Sequence, residues 1–180
     1  MSRPALSLSH PPLYIGSVDT PVGTLWIAVS EKGVVAIDWA EDAQAFCEYL
    51  RKRFRRSCIL ESAKVEEVAR QLREYFSGRR QNFDLPIDWS GMRPFQQAVL
   101  RATLAIPYGS TRTYLDLARQ IGRPRAARAV GRAEASNPIP ILIPCHRVIG
   151  RDGKLHGYGG GEGIKTKEFL LELEKAIIPL

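Results

Sequence analysis

Cys145, His146 and Arg147 stand consecutively, directly after Pro144. The stretch that delivers them, Asn137 to Val148, is apolar and punctuated by three prolines. A cysteine acts as a nucleophile through its thiolate, and a thiolate needs a base or a positive charge beside it. His146 offers the first and Arg147 the second. Adjacency in sequence does not fix geometry, and a buried structural cysteine with an incidental neighbour fits the same three residues.

The elements that must position this segment can be read from periodicity and turn residues. Leu13–Val18 and Thr24–Val29 read as strands separated by the turn Thr20-Pro21-Val22-Gly23, and Val34–Trp39 reads as a third strand. Asp42 to about Arg55 and Ser62–Phe76 read as helices, the second with Val65, Val68, Ala69, Leu72, Tyr75 and Phe76 on one face. Phe83–Ile87 is expected as a last strand. The expected architecture is α+β: residues 1–12 a flexible tail, 13–90 a small α/β domain with a short antiparallel sheet, and 91–180 a mostly helical domain. In that second part, Pro94 opens a helix over Phe95–Leu104, and Thr111 or Thr113 caps a helix ending at Gly122. Pro124 is expected to open a short Ala- and Arg-rich helix running to about Ala135. Helix, tight turn and small-residue helix make a helix-turn-helix pattern. Small residues on the second helix predict recognition of shape and phosphate over base edges.

Charge is unevenly placed. Residues 1–90 hold twelve basic and twelve acidic side chains, whereas residues 91–180 hold fourteen and seven, so the net +7 lies wholly in the second half. Six arginines and a single acid, Asp116, lie between Arg112 and Arg132. That is a footprint for an anionic partner, of which nucleic acid is the commonest. No apolar run approaches the ~20 residues of a membrane span, and the first twelve residues lack the apolar core of a signal peptide. Cys47, Cys58 and Cys145 form no metal-ligand spacing with the three histidines. Cys47 and Cys58 are expected to be packing residues in a reducing, cytoplasmic setting, with no metal and no cofactor.

The segment IPCHRV resembles the active-site signature of the O6-alkylguanine-DNA alkyltransferases (methylated-DNA–protein-cysteine methyltransferases). FQQAVL at Phe95–Leu100, IPYGSTRTY at Ile106–Tyr114, RAARAVGRA at Arg125–Ala133, SNPIPILIPCHRVIG at Ser136–Gly150, then GYGGG and LLELE, follow the family's order. The resemblance is strong over about residues 93–175 and weak before them. It implies repair of double-stranded DNA by irreversible transfer of an alkyl group from guanine O6 to Cys145, once per molecule, with O4-alkylthymine as a candidate minor substrate. It implies a monomer, with cooperative binding along DNA left open, and nucleoid association in a bacterium.

The same resemblance assigns roles. Cys145 would attack the alkyl carbon as a thiolate, His146 would take the thiol proton through a water, and Glu174 would orient His146. Tyr114 would donate to guanine N3 and crowd the target phosphate. Asn137 would tie the recognition helix to the cysteine turn. Arg128 would fill the gap left by a flipped nucleotide. Ala126, Ala127, Ala129 and Gly131 would lie against the minor groove, with Thr113 also at the DNA. Pro140 and Tyr158 would line the alkyl pocket, the carbonyls of Cys145 and Val148 would accept from the guanine amino group, and Gly159 would offer its N–H to O6.

Three departures from the familiar pattern carry consequences. Glu134 places a carboxylate late in the recognition helix, where it could repel phosphate or reshape the pocket rim. Gly159 stands where a Ser is common. The segment Glu162–Lys167 is two residues longer than the usual spacing before the last helix. Two other classes remain distinguishable: a damage-binding relative would lack the reactive cysteine, and a regulator without chemistry would bind selected sequences, generally as a dimer.

Overall fold

The structure, a computed structural model, describes residues 10–176. Most of the expected tail, residues 1–9, lies outside them. Three strands open the chain: β1 (Leu13–Thr20), β2 (Gly23–Ser30) and β3 (Gly33–Asp38), joined as antiparallel neighbours. Helix α1 (Ala43–Phe54) follows, capped by the Asp42 carboxylate on the Ala45 N–H. A short strand β4 (Cys58–Leu60), not foreseen from the sequence, then pairs parallel with β1, giving the sheet order β3-β2-β1-β4. The sheet is therefore mixed rather than purely antiparallel.

Helix α2 (Ser62–Phe76) lies across this sheet with the predicted apolar face inward. It comes so close that a Cβ on Gly16 would stand 2.5 Å from Val65 Cγ2, so the strand needs glycine there. Phe83–Ile87 does not form the expected strand. It makes one parallel bridge, Val34 to Ile87, because Pro86 has a carbonyl for the Val34 N–H but no N–H to extend a ladder.

The second half is built from α3 (Pro94–Leu104), α4 (Tyr114–Gln120), α5 (Ala127–Ala135) and α6 (Ile164–Leu173), with a two-stranded parallel pair, β5 (Arg112–Thr113) and β6 (Val148–Ile149). Pro94 starts α3 as expected. Thr113, not Thr111, caps α4, in a capping box closed by Asp116. Pro124 and Arg125 sit in a turn, and α5 begins only at Ala127. Cys47 and Cys58, expected as separate packing residues, are paired in a disulfide that joins α1 to β4. The two halves share one apolar core: Leu25, Ile27, Val65 and Leu72 from the first pack in the same cluster as Leu100, Ile139, Ile143 and Leu170 from the second. Among the described residues no helix is long and apolar enough to cross a membrane.

Candidate active site

The nucleophile sits where irregular chain is held by apolar packing and a few directed hydrogen bonds. Residues 139–149 are all buried. Ile141 is forced to φ +73, a conformation that a β-branched residue adopts only under constraint from its surroundings. The backbone then tightens, with Ile143 N–H donating to Ile139 and Cys145 N–H to Ile143, and Cys145–Arg147 form a single 3-10 turn. Asn137, just past α5, fixes this approach: its amide donates to the Ile143 carbonyl at 2.9 Å and its Oδ1 accepts from the Ile139 N–H at 3.0 Å. Asn137 thereby links the end of α5 to the residues just before the cysteine turn.

His146 is fully buried, and its Nε2 lies 2.8 Å from Glu174 Oε1. Glu174 caps the C-terminal end of α6, so the longer segment before that helix does not displace it. Its two oxygens also accept from Arg147 Nε at 2.8 Å, Arg147 Nη2 at 2.9 Å, the Tyr75 hydroxyl at 2.6 Å and the Gly109 N–H at 3.2 Å. Burial alone would raise the Glu174 carboxyl, but the hydrogen bonds from His146 and Arg147 overcome it and hold the pKa at about 2. An ionised carboxylate only accepts, so the proton between the two groups resides on His146 Nε2. Burial lowers the His146 pKa and keeps the ring neutral, against the pull of Glu174. Nδ1 is then a bare acceptor, and it is buried without a protein partner.

Cys145 is 8% exposed. Burial pushes its thiol up to about 12, with Glu134 adding to the rise and the Asn137 hydrogen bond and Lys167 opposing it. In the resting protein it is therefore a thiol, not the thiolate expected from the sequence. Lys167, also fully buried, donates to the Val148 carbonyl at 2.6 Å and the His156 carbonyl at 3.1 Å. Burial lowers its pKa to about 8.

Two cavities meet at Cys145. The larger, about 780 Å³, is lined by Tyr114, Arg128, Gly131, Tyr158 and Gly159 among others. The smaller, about 190 Å³, lies towards the first half and includes Pro140, Asn137, Trp39 and Arg53. Tyr158 borders both, its ring edge-on to Trp39 at 6.3 Å. Trp39 also presses on the glycine-rich loop: a Cβ on Gly160 would collide with its ring. The sheet of the first half thereby braces the wall of the site. Tyr114 opens α4 and donates to the His156 carbonyl at 3.3 Å; burial raises its phenol to about 12.

Arg128 is exposed at the rim of the larger cavity, on the same face of α5 as exposed Arg132. Ala126, Ala127, Ala129 and Gly131 are half-buried, and Gly131 faces the Tyr114 ring. Three expectations need correction or refinement. Thr113 spends its hydroxyl inside the capping box. Val148 is wholly buried, lies off the lining of both cavities and has its carbonyl engaged by Lys167, while the Cys145 carbonyl accepts from the Val148 N–H. Glu134 is turned away from the exposed face of α5: it is 6% exposed, hydrogen-bonded to Thr103, and shapes the lining of both cavities.

Sequence reasoning also missed Tyr75, Thr103 and Lys167. Among the described residues, three buried side-chain polar atoms lack a partner: Glu134 Oε2, His146 Nδ1 and Tyr158 Oη. Buried polar atoms are ordinarily paired, and all three belong to the residues around Cys145. No group of three His, Cys, Asp or Glu among the described residues is placed to hold a metal ion.

A cysteine thiol, a carboxylate-bound imidazole and exposed arginines around one cavity suit group transfer on an anionic partner, and the comparisons narrow the class. Residues 94–176 match the family model of the 6-O-methylguanine DNA methyltransferase DNA-binding domain, and residues 13–89 match its ribonuclease-like domain. The chain belongs to the 6-O-methylguanine DNA methyltransferase family. It is 45% identical over 163 residues to the methylated-DNA–protein-cysteine methyltransferase of Methanosarcina barkeri, covering 91% of this chain and 98% of that one. It is 40% identical over 172 residues to the inducible methylated-DNA–protein-cysteine methyltransferase of Bacillus subtilis, covering 94% of each. The crystal structure of Mycobacterium tuberculosis OGT in complex with DNA superposes with a TM-score of 0.74 at 41% identity, over 90% of this chain and 92% of that one.

Proposed function

We propose that this protein repairs double-stranded DNA by moving an alkyl group from guanine O6 to Cys145, once per molecule. The observation that carries the assignment to Cys145 is the buried pair Glu174–His146, which leaves a neutral imidazole with Nδ1 free on the residue that follows a thiol bordering two cavities. In the reaction the thiol proton passes through a water to His146 Nδ1. The sulfur forms a bond to the alkyl carbon, and the O6–carbon bond breaks with its electron pair going to the guanine. The purine takes up one proton and leaves as ordinary guanine. His146, once cationic, is stabilised by the ionised Glu174, following the logic of a carboxylate–imidazole–nucleophile triad.

The O6 substituent of a stacked base is out of reach of a protein thiol, so the nucleotide must turn out of the duplex. Arg128 at the cavity rim is suited to occupy the gap, and Tyr114 to crowd the backbone and donate to the leaving base. The small residues Ala126, Ala127, Ala129 and Gly131 leave room for close approach of a groove. Pro140 and Tyr158 border the smaller cavity, which we assign to the alkyl group, and the Gly159 N–H serves guanine O6. The carbonyl of Cys145, which borders both cavities, keeps a second lone pair for a purine amino group. A cytoplasmic protein, nucleoid-associated in a bacterium and active as a monomer, fits this substrate. A functional division near residue 90 fits the spans of the two family models.

The test is intact mass with peptide mapping after incubation with a duplex carrying one O6-methylguanine. One methyl on Cys145, with guanine restored in the DNA, is the expected result. Cys145→Ser should bind the duplex and acquire no methyl; a methylated Ser variant, or a wild-type protein that binds tightly without a mass change, rejects the assignment.

A further inference from the structure

Glu134 is the one acid on the inward face of α5, beside Val130 and Ala133. Its Oε1 is in short contact with Thr103 of α3. The Thr103 hydroxyl carries one proton, and it also lies 3.0 Å from the Val99 carbonyl one turn back. That one proton can serve only one of the two oxygens at a time. Burial favours the neutral carboxyl and raises the Glu134 pKa to about 7, against the Thr103 hydrogen bond and Lys167, which lower it. The other oxygen, Oε2, is buried and has no partner. Glu134 borders both cavities together with Cys145.

The groups around this carboxyl come from several elements. Tyr114 faces it from α4, Cys145 from the 3-10 turn and Lys167 from α6, each interacting electrostatically with it. Lys167 alone of these brings positive charge, at the cost of favouring the carboxylate. Across the smaller cavity stand Tyr158, Asp38 and Arg53, and the Arg53 guanidinium is engaged with the Ser136 carbonyl.

We propose that Glu134 is a positioning residue that sets the protonation state of Cys145: as a neutral acid it permits the thiolate, and as a carboxylate it holds the thiol protonated. Two negative charges confined beside one another in a dry site cannot both persist, so ionisation of one opposes ionisation of the other. The inference rests on the proposed role of Cys145 as acceptor, but its own readout is the thiol.

The experiment compares wild type and Glu134→Gln between pH 5.5 and 9, following S-alkylation of Cys145 by iodoacetamide with peptide mapping, and in parallel methyl transfer from the O6-methylguanine duplex. The ratio of variant to wild-type alkylation rate should climb about tenfold between pH 6 and 8.5, the effect of roughly one pKa unit on the thiol. A ratio constant across this range overturns the proposal. Should Glu134→Gln fail to fold, Thr103→Val serves: loss of the hydrogen bond that lowers the Glu134 pKa should move the break in the wild-type profile to higher pH. A break that stays in place overturns the proposal. A differing thiol profile with no methyl transfer in either protein would sink the repair reaction and leave this inference standing; normal transfer with parallel thiol profiles would do the reverse.

Discussion

Tyr75, in the last turn of α2, donates its hydroxyl to Glu174 at the end of α6, 99 residues later in the chain and 2.6 Å away in space. The carboxylate that orients His146 is therefore itself held by the half of the protein that carries no reacting group. The first half contributes to the site in two ways. It supplies one of the donors to Glu174, and it braces Trp39 against the glycine-rich loop.

Tyr75→Phe should cost about 1.5–3 kcal/mol of unfolding free energy, the range for a hydrogen bond to a charged group. Urea denaturation measures it. The methyl-transfer rate should fall as well, because His146 loses part of its orientation, whereas DNA affinity should not change. A variant as stable and as fast as the wild type would mean that the Tyr75 contact is incidental.

Glu174 makes stability depend on acid. Its pKa is about 2 in the folded protein against an ordinary 4.5. A carboxyl depressed in this way contributes stability that is complete above the unfolded value and is lost as pH falls from about 4.5 through about 2. The shift corresponds to something on the order of 3 kcal/mol at neutral pH. Glu174→Gln should be less stable than wild type at pH 7, and the gap should narrow as pH drops towards 2. Unfolding curves that stay parallel from pH 7 to pH 2 would contradict the ionised carboxylate.

Arg128→Ala should slow repair of duplex DNA by about a hundredfold, since unstacking costs a few kcal/mol and the side chain offsets part of it. Reaction with free O6-benzylguanine, which needs no extrusion, should be nearly unaffected. Equal losses on both substrates would place Arg128 in the chemistry instead.

Arg125, Arg128 and Arg132 are all exposed on or just before α5. If each neutralises one phosphate, they account for about 2.7 units of slope in a plot of log affinity against log salt. Arg132→Ala should lower the measured slope by about one and weaken unrelated duplexes alike. A slope that does not change would remove Arg132 from the DNA surface.

How much of this was legible in the sequence differs residue by residue. Cys145, His146 and Arg147 are contiguous, so their association needed no fold. Glu174 came from the resemblance, and the geometry joins it to His146. Tyr75 and Thr103 were invisible because their partners are 99 and 31 residues away, and each sits on a helix face where an apolar or small residue would be equally at home. Of the two expectations for Glu134, shaping the pocket agrees with its place in both linings, and repelling phosphate does not, for a reason that the sequence does contain. Positions 130, 133 and 134 share one helical face, and Val130 and Ala133 mark that face as inward. The carboxylate drew attention to solvent and phosphate, while helical spacing pointed to the core. The expected strand at Phe83–Ile87 failed because Pro86 lacks a ladder donor, and β4 escaped notice because three residues are too few to show a period. The Cys47–Cys58 pairing was passed over because count and spacing say nothing about which helix and strand lie side by side.

The dependence of His146 on α6 also has a consequence for the order in which the chain is made. A ribosome adds residues from the amino end, so the recognition helix, the nucleophile and its imidazole all exist before Glu174 does. Until α6 has been synthesised and has docked, the imidazole has no carboxylate and Arg147 has no counter-ion. The imidazole beside Cys145 therefore gains its carboxylate only when the last helix closes on the first half.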